Sequence, residues 1–179
     1  MKNKEKTLAS KAIFNGKVIQ LHVDTVDVGQ GRTATREIAR HPGAAAIVAL
    51  TDRQEVIMVT QYRKAIEQEL LEIPAGKLDD GEDPLTCAKR ELVEETGYSA
   101  RRWVKLLSFY TSPGFCNEEI TIYLARGLER LSEEPEDQDE ISSVQLFPLD
   151  DLLRSALHQE IKDAKTIAGI YAANAYLAE

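Results

Sequence analysis

Along most of this chain apolar residues alternate with polar ones or gather in short runs, and they fall into a helical period in only three places. Ala44 to Leu50 is a continuous apolar run after the His41-Pro42-Gly43 break, the pattern of a strand buried on both faces. Thr51 to Gln54 reads as a turn, Glu55 to Tyr62 as the next strand and Leu70 to Ile73 as another, ending at a break over Pro74-Ala75-Gly76. Further strands are predicted over Arg101 to Tyr110, Ile120 to Ala125 and Val144 to Phe147. The helical stretches are Pro84 to Thr96, Leu149 to Leu157 and Lys162 to Leu177, the last expected to bury Ile167, Ile170 and Tyr171.

The first forty residues form a pattern of their own. Asn15-Gly16 is a two-residue hairpin signal between Ala12-Ile13 and Val18-Ile19, Val18 to Val28 reads as a second strand, and Gly29-Gln30-Gly31 turns into a third over Thr33 to Arg40. A three-stranded meander this short has little core, so it must pack on the main domain or on a second copy of the chain. The expected organisation is an N-terminal antiparallel sheet over residues 1–42, then a main domain over 43–179. Strands interleaved with helices predict an α/β fold, a three-layer α/β/α sandwich with a mixed sheet.

The stretch from Gly76 to Tyr98, GKLDDGEDPLTCAKRELVEETGY, carries the candidate chemistry. Asp83 suits an N-cap, Pro84 the first helical position and Gly97 a left-handed stop. Leu85, Ala88 and Leu92 give the helix a core face, whereas Glu91, Glu94 and Glu95 crowd a neighbouring one at i, i+3, i+4. Like charges at that spacing repel, and at the C-terminal end of a helix the macrodipole opposes them as well. Three carboxylates placed there make sense if a divalent cation neutralises them, and hard oxygen ligands suit Mg²⁺ or Mn²⁺. An acidic helix face is usually only solvated, so the whole pattern has to decide.

That pattern is Gly76, five residues, Glu82, seven residues, Arg90-Glu91-Leu92, one residue, Glu94-Glu95, one residue, Gly97, then apolar Tyr98. It resembles the signature of the Nudix hydrolases with every fixed position filled. At roughly one in fifteen per residue, seven specified matches arise by chance in on the order of one window in 10⁸. The resemblance implies a Nudix-like α/β/α sandwich from about Ala44 onward and metal-assisted hydrolysis of a nucleoside diphosphate linked to another group. It makes Glu91, Glu94 and Glu95 metal ligands, with the Ala75 carbonyl as an extra one. Arg90 becomes the residue that orients a carboxylate, and Glu82 either does the same or binds through water.

Flanking residues resemble the ADP-ribose pyrophosphatase branch: Gln61-Tyr62-Arg63, Leu71 to Lys77 (LEIPAGK), and Pro113 sixteen residues past Gly97. By that resemblance Arg63 reaches the pyrophosphate through its planar fork. The general base is expected on a loop after the box, with Glu140 the first choice and Glu118 the second. Ser142-Ser143 stand where many relatives carry another acid. The branch forms homodimers whose N-terminal sheet crosses to the partner, which would bring Arg36 and Glu37 near the partner's adenosine site. The expected reaction is Mg²⁺-dependent cleavage of ADP-ribose to AMP and ribose 5-phosphate. The alternatives are another nucleoside diphosphate sugar or a dinucleotide as substrate, and a module that binds ADP-ribose without cleaving it.

Composition narrows the field further. A net charge of −8 argues against a nucleic-acid or anionic-membrane surface, and a polyanionic substrate then needs local Arg or metal ions. No stretch approaches the ~18 apolar residues of a membrane span. Cys87 and Cys116 form neither a metal spacing nor a disulfide framework, as expected of reduced residues in the cytoplasm. His22, His41 and His158 are scattered, so a His-based metal site is not expected.

Overall fold

The computed structural model describes residues 5–131 and 141–179. It divides into two compact units, Met1–Gly43 with Phe109–Glu119, and Ala44–Ser108 with Ile120–Glu179.

The first unit is built on a meander of β1 (Lys6–Asn15), β2 (Gln20–Gly29) and β3 (Arg32–Arg40), antiparallel and in the order β1-β2-β3. Its hairpin is longer than the two-residue turn expected from Asn15-Gly16. Strand pairing resumes at Asn15↔Gln20 and Gly16 N–H donates to the Ile19 carbonyl at 3.0 Å. The β1–β2 pairing is irregular between Ala12 and Phe14, and the Phe14 ring lies over Gly16, so Val18 and Ile19 sit in the connection. The 109–119 segment is stitched to β3: Ala39 N–H donates to the Phe115 carbonyl at 2.8 Å and Asn117 N–H to the Ala39 carbonyl at 3.3 Å. β1 is exposed along its whole length.

The second unit has a mixed sheet in the order β10 (Ile141–Pro148), β5 (Glu55–Arg63), β4 (Ala44–Leu50), β9 (Glu119–Arg130), β8 (Tyr98–Tyr110). β4 and β9 run parallel, while β5 pairs antiparallel with both β4 and β10. β4 and β5 pair only at Leu50↔Val56 and then part company. The gap is filled by β6 (Gln68–Glu72), which pairs with β5, and β7 (Ala75–Lys77), which pairs with β4 at Ala44↔Lys77, Ala45↔Gly76 and Ala46↔Ala75. Pro74 cannot donate to a ladder, yet its carbonyl accepts from Ile47 N–H at 2.8 Å. The break expected at Pro74-Ala75-Gly76 is therefore a crossing from one strand to the next, and Ala75–Lys77 is a short strand, not a loop.

Alternation along β4 and β9 sends their side chains to two faces. Ala45, Ile47, Ala49, Tyr123 and Ala125 face α1 (Pro84–Thr96) and join Cys87, Ala88 and Leu92 in one core cluster. Truncating Leu92 there would cost about 2–5 kcal/mol. On the other face Val48 and Ile122 meet α3 (Ala164–Leu177), where a Cβ at Gly169 would lie 3.1 Å from Val48 Cγ2. Helices on both faces of a mixed sheet make the α/β/α sandwich. α3 buries Thr166, Gly169, Ile170 and Ala173, a stripe of mostly small residues that lets the helix lie close to the sheet. Tyr171, expected in the core, is 42% exposed because that stripe leaves it on the outer side. α2 (Leu149–Leu157) buries Leu149 and Leu152.

Candidate active site

α1 takes its ends from the sequence signals expected of it. Asp83 accepts from Leu85 N–H at 3.0 Å and Thr86 N–H at 3.2 Å, and Gly97 adopts φ 73°, closing on the Val93 carbonyl at 2.8 Å. No basic residue stands in the last turn, so Glu91, Glu94 and Glu95 meet the negative end of the dipole without local compensation from that turn.

Arg90 gathers two of them, Glu91 and Glu94, together with Glu82. Its Nε and Nη2 donate to the two oxygens of Glu82 at 3.1 and 2.9 Å, and its Nη1 donates to Glu91 Oε1 at 2.7 Å and Glu94 Oε2 at 2.9 Å. Nη2 also reaches the Lys77 carbonyl at 3.2 Å, tying the helix to β7. One planar fork thus holds three carboxylates. The hydrogen bond from Arg90 keeps the Glu82 carboxyl below the usual carboxylate range, and Glu82 leads the acids that push the guanidinium further towards its charged form. Asp79 N–H donates to Glu82 at 2.9 Å and fixes the loop before the helix.

Glu95 is placed differently. It is 4% exposed and its Oε2 accepts from Ala75 N–H at 2.9 Å. Burial pushes its carboxyl up to about 8, and the neighbouring charge of Glu91 adds to this against the opposing hydrogen bond. Gly76 completes the arrangement: a Cβ there would fall 1.8 Å from the Glu91 carboxyl carbon, so only glycine lets β7 lie against that carboxylate. Cys87, beneath the site, donates Sγ–H to the Gly76 carbonyl at 3.5 Å, and burial raises its thiol to about 12, so it is an inert packing residue.

Among the described residues no three His, Cys, Asp or Glu side chains stand as a ready metal cage, because Arg90 draws Glu91 and Glu94 while Glu95 turns to Ala75 N–H. The residues nonetheless fit a divalent cation. The donors are all hard oxygens on one helix face beside the Ala75 backbone, and a buried acid held neutral beside a second carboxylate is a site that a cation would ionise.

Arg63, at the end of β5, is bound edge-on to Glu72: Nε donates to Oε1 at 2.7 Å and Nη2 to Oε2 at 2.5 Å. The remaining expected residues lie in the first unit or outside the described residues. Arg36 is held by Glu5, with Nε to Oε2 at 3.0 Å and Nη2 to Oε1 at 2.5 Å, and Glu37 is exposed on the same strand. Pro113 is exposed in a turn closed by Cys116 N–H on the Ser112 carbonyl at 2.8 Å. Glu118 accepts from Thr111 Oγ1 at 2.7 Å and lies 3.5 Å from His41 Nδ1. Glu140 lies outside the described residues. The structure therefore brings together Glu82, Arg90, Glu91, Glu94, Glu95 and the Ala75–Gly76 backbone.

Two charged residues beside this set carried no role in the sequence reading, Glu72 and Lys165. Glu72 is 1% exposed and Lys165 8%. The signal for Glu72 was an acid inside an apolar strand pattern, Leu70-Leu71-Glu72-Ile73. Lys165 had none, since its partner is 93 residues away.

A family model described as the NUDIX domain matches residues 40–168. The chain is 48% identical to an ADP-ribose pyrophosphatase of Bacillus subtilis (strain 168), over 93% of this chain and 90% of that one. It is 45% identical to a methanol dehydrogenase activator of Bacillus methanolicus over the same shares. In fold it matches a crystal structure of an ADP compounds hydrolase, with a TM-score of 0.83 at 20% identity, covering 98% of this chain and 95% of that one. The acidic face organised by Arg90 is thus the Nudix box in three dimensions, and the chain belongs to the Nudix hydrolases, a divalent-metal-dependent family.

Proposed function

We propose that the chain hydrolyses the diphosphate of ADP-ribose to AMP and ribose 5-phosphate, with Mg²⁺ as its cation and Mn²⁺ as a substitute. The observation that carries the reading is the Arg90-held set of Glu82, Glu91 and Glu94 beside buried Glu95, in a chain close to an ADP-ribose pyrophosphatase over nearly its whole length.

Glu91, Glu94, Glu95 and the Ala75 carbonyl would hold the cation, which when bound neutralises charge at the diphosphate and makes water a better nucleophile. Arg90 keeps Glu91 and Glu94 from drifting apart under mutual repulsion and keeps the β7 backbone in place through the Lys77 carbonyl. Arg63 grips the diphosphate with the part of its fork that Glu72 does not occupy. Glu140 accepts the proton of the attacking water, with Glu118 as the second candidate. Pro113 shapes the loop that bounds the substrate.

The active form in this reading is a homodimer through the N-terminal sheet, with Arg36 and Glu37 serving the partner's adenosine. What supports it are the exposed apolar residues of β1 and the connection after it, with Leu8, Ile13, Phe14 and Val18 each at least half exposed. A cytoplasmic setting agrees with two free thiols, Cys87 and Cys116. Turnover of ADP-ribose against a GDP-sugar and a dinucleotide at equal concentration tests the substrate assignment, and faster turnover of either competitor would reject it.

The 45% identity to a methanol dehydrogenase activator favours one second role, stimulation of an alcohol dehydrogenase. Adding the purified chain to a methanol dehydrogenase checks it, and an unchanged dehydrogenase rate removes it.

A further inference from the structure

Beside the acidic face, a line of charges joins α3 to the β5–β6 hairpin. Lys165 Nζ donates to Glu72 Oε2, the same oxygen that receives Arg63 Nη2, and to Asp163 Oδ2 at 3.0 Å. Asp163 in turn accepts from Thr166 N–H at 2.9 Å and caps α3. Next to it Ile73 N–H donates to Thr166 Oγ1 at 2.9 Å, so the start of α3 and the strand leading to Ala75 are fixed to each other.

Burying Lys165 and Glu72 is costly, and for stability alone an apolar pair of similar volume would serve as well or better. One cation already neutralises Glu72, so a second one needs a reason. The geometry of the fork supplies it. A guanidinium has five N–H groups in a rigid plane. Glu72 takes the edge formed by Nε and one Nη2 hydrogen. The end edge, one N–H from each terminal nitrogen, is left, and its two parallel donors match two oxygens of a phosphate. The Arg63 side chain is 40% exposed, whereas Glu72 is buried. Lys165 donates to both Glu72 Oε2 and Asp163 Oδ2, so it ties Glu72, and through it the Arg63 fork, to the start of α3. Ile73, next to Glu72, is held by Thr166, and two residues on Ala75 N–H donates to Glu95 at 2.9 Å, so the strand of Glu72 leads directly to the acidic face.

We propose that Glu72 and Lys165 are positioning residues that hold the Arg63 guanidinium by its Nε–Nη2 edge and present its Nη1–Nη2 edge to the substrate diphosphate. The proposal rests on the reading of Arg63 as the diphosphate contact.

The test is a double-mutant cycle on ADP binding, measured by calorimetry in EDTA so that turnover does not enter. Lys165→Met should weaken ADP binding about 10-fold with Arg63 present and less than about twofold in the Arg63→Ala background, and Lys165→Arg should recover most of the loss. In turnover, Lys165→Met should raise KM about 10-fold with kcat within about threefold. Glu72→Gln, which keeps the shape, runs through the same cycle if Lys165→Met does not fold, with the same coupling expected. Equal weakening in both backgrounds, no weakening, or no ADP binding by the unmodified chain would overturn the proposal. ADP-ribose cleavage without coupling removes this inference alone, and coupling without ADP-ribose cleavage removes the substrate assignment alone.

Discussion

Gly76 lies so close to Glu91 that the single carbon of an alanine side chain would overlap the carboxylate, 1.8 Å from its Cδ. The colliding atoms are the far end of a flexible side chain, and Gly76 is not among the residues with positive φ. Gly76→Ala should therefore leave the fold standing and move Glu91 instead. The expected outcome is a change in melting temperature of a few degrees with kcat/KM down about 100-fold or more. Circular dichroism melts beside steady-state kinetics check it, and full activity in a folded variant would contradict the placement of Glu91.

Arg90 pairs with Glu82, Glu91 and Glu94 at once. Lysine keeps the charge but cannot reach three carboxylates at once. Arg90→Lys should weaken Mn²⁺ binding and lower turnover by about 10–100-fold each. Mn²⁺ titration followed by electron paramagnetic resonance reads the first quantity directly.

Glu72 gives the protein an acid limit. Burial pushes its carboxyl up, but Arg63 and Lys165 outweigh burial and hold it below the usual carboxylate range. A carboxyl lowered on folding contributes stability above its unfolded value of about 4.3, and that stability is lost as pH falls through the folded value. Wild type should melt progressively lower below about pH 4.3. Glu72→Gln should melt lower at neutral pH, by up to about 3–5 kcal/mol for a broken buried pair, and show a flatter acid limb. Parallel curves for the two proteins would show that Glu72 contributes nothing to the acid limb.

How far the sequence was legible depends on how local each signal was. α1 was readable to the residue because Asp83, Pro84 and Gly97 act within a turn of its ends, and the charge conflict of Glu91, Glu94 and Glu95 is visible from spacing alone. The β7 crossing was not, since pairing of Ala75–Lys77 with Ala44–Ala46 depends on β4 and β5 splaying apart. Tyr171 misled for a related reason: apolar identity pointed inward, but α3 docks through Gly169 and Ala173, whose small size matters only once the facing Val48 and Ile122 are known. The Lys165–Glu72 pair needs tertiary structure to be seen at all.

The general base separates by rate and not by binding. Glu140→Gln should lower kcat by about 10²–10⁴ with KM little changed, and Glu118→Gln should have the smaller effect. Since Glu118 is also held by Thr111 and faces His41, its variant should change melting as well. An unchanged kcat in Glu140→Gln would transfer the role to Glu118.

The most direct check of the central claim is product analysis of the purified chain with ADP-ribose, with and without Mg²⁺. The account predicts AMP and ribose 5-phosphate in equal amounts when Mg²⁺ is present and neither when it is chelated. ADP-ribose left intact under both conditions, by a folded protein, would contradict it.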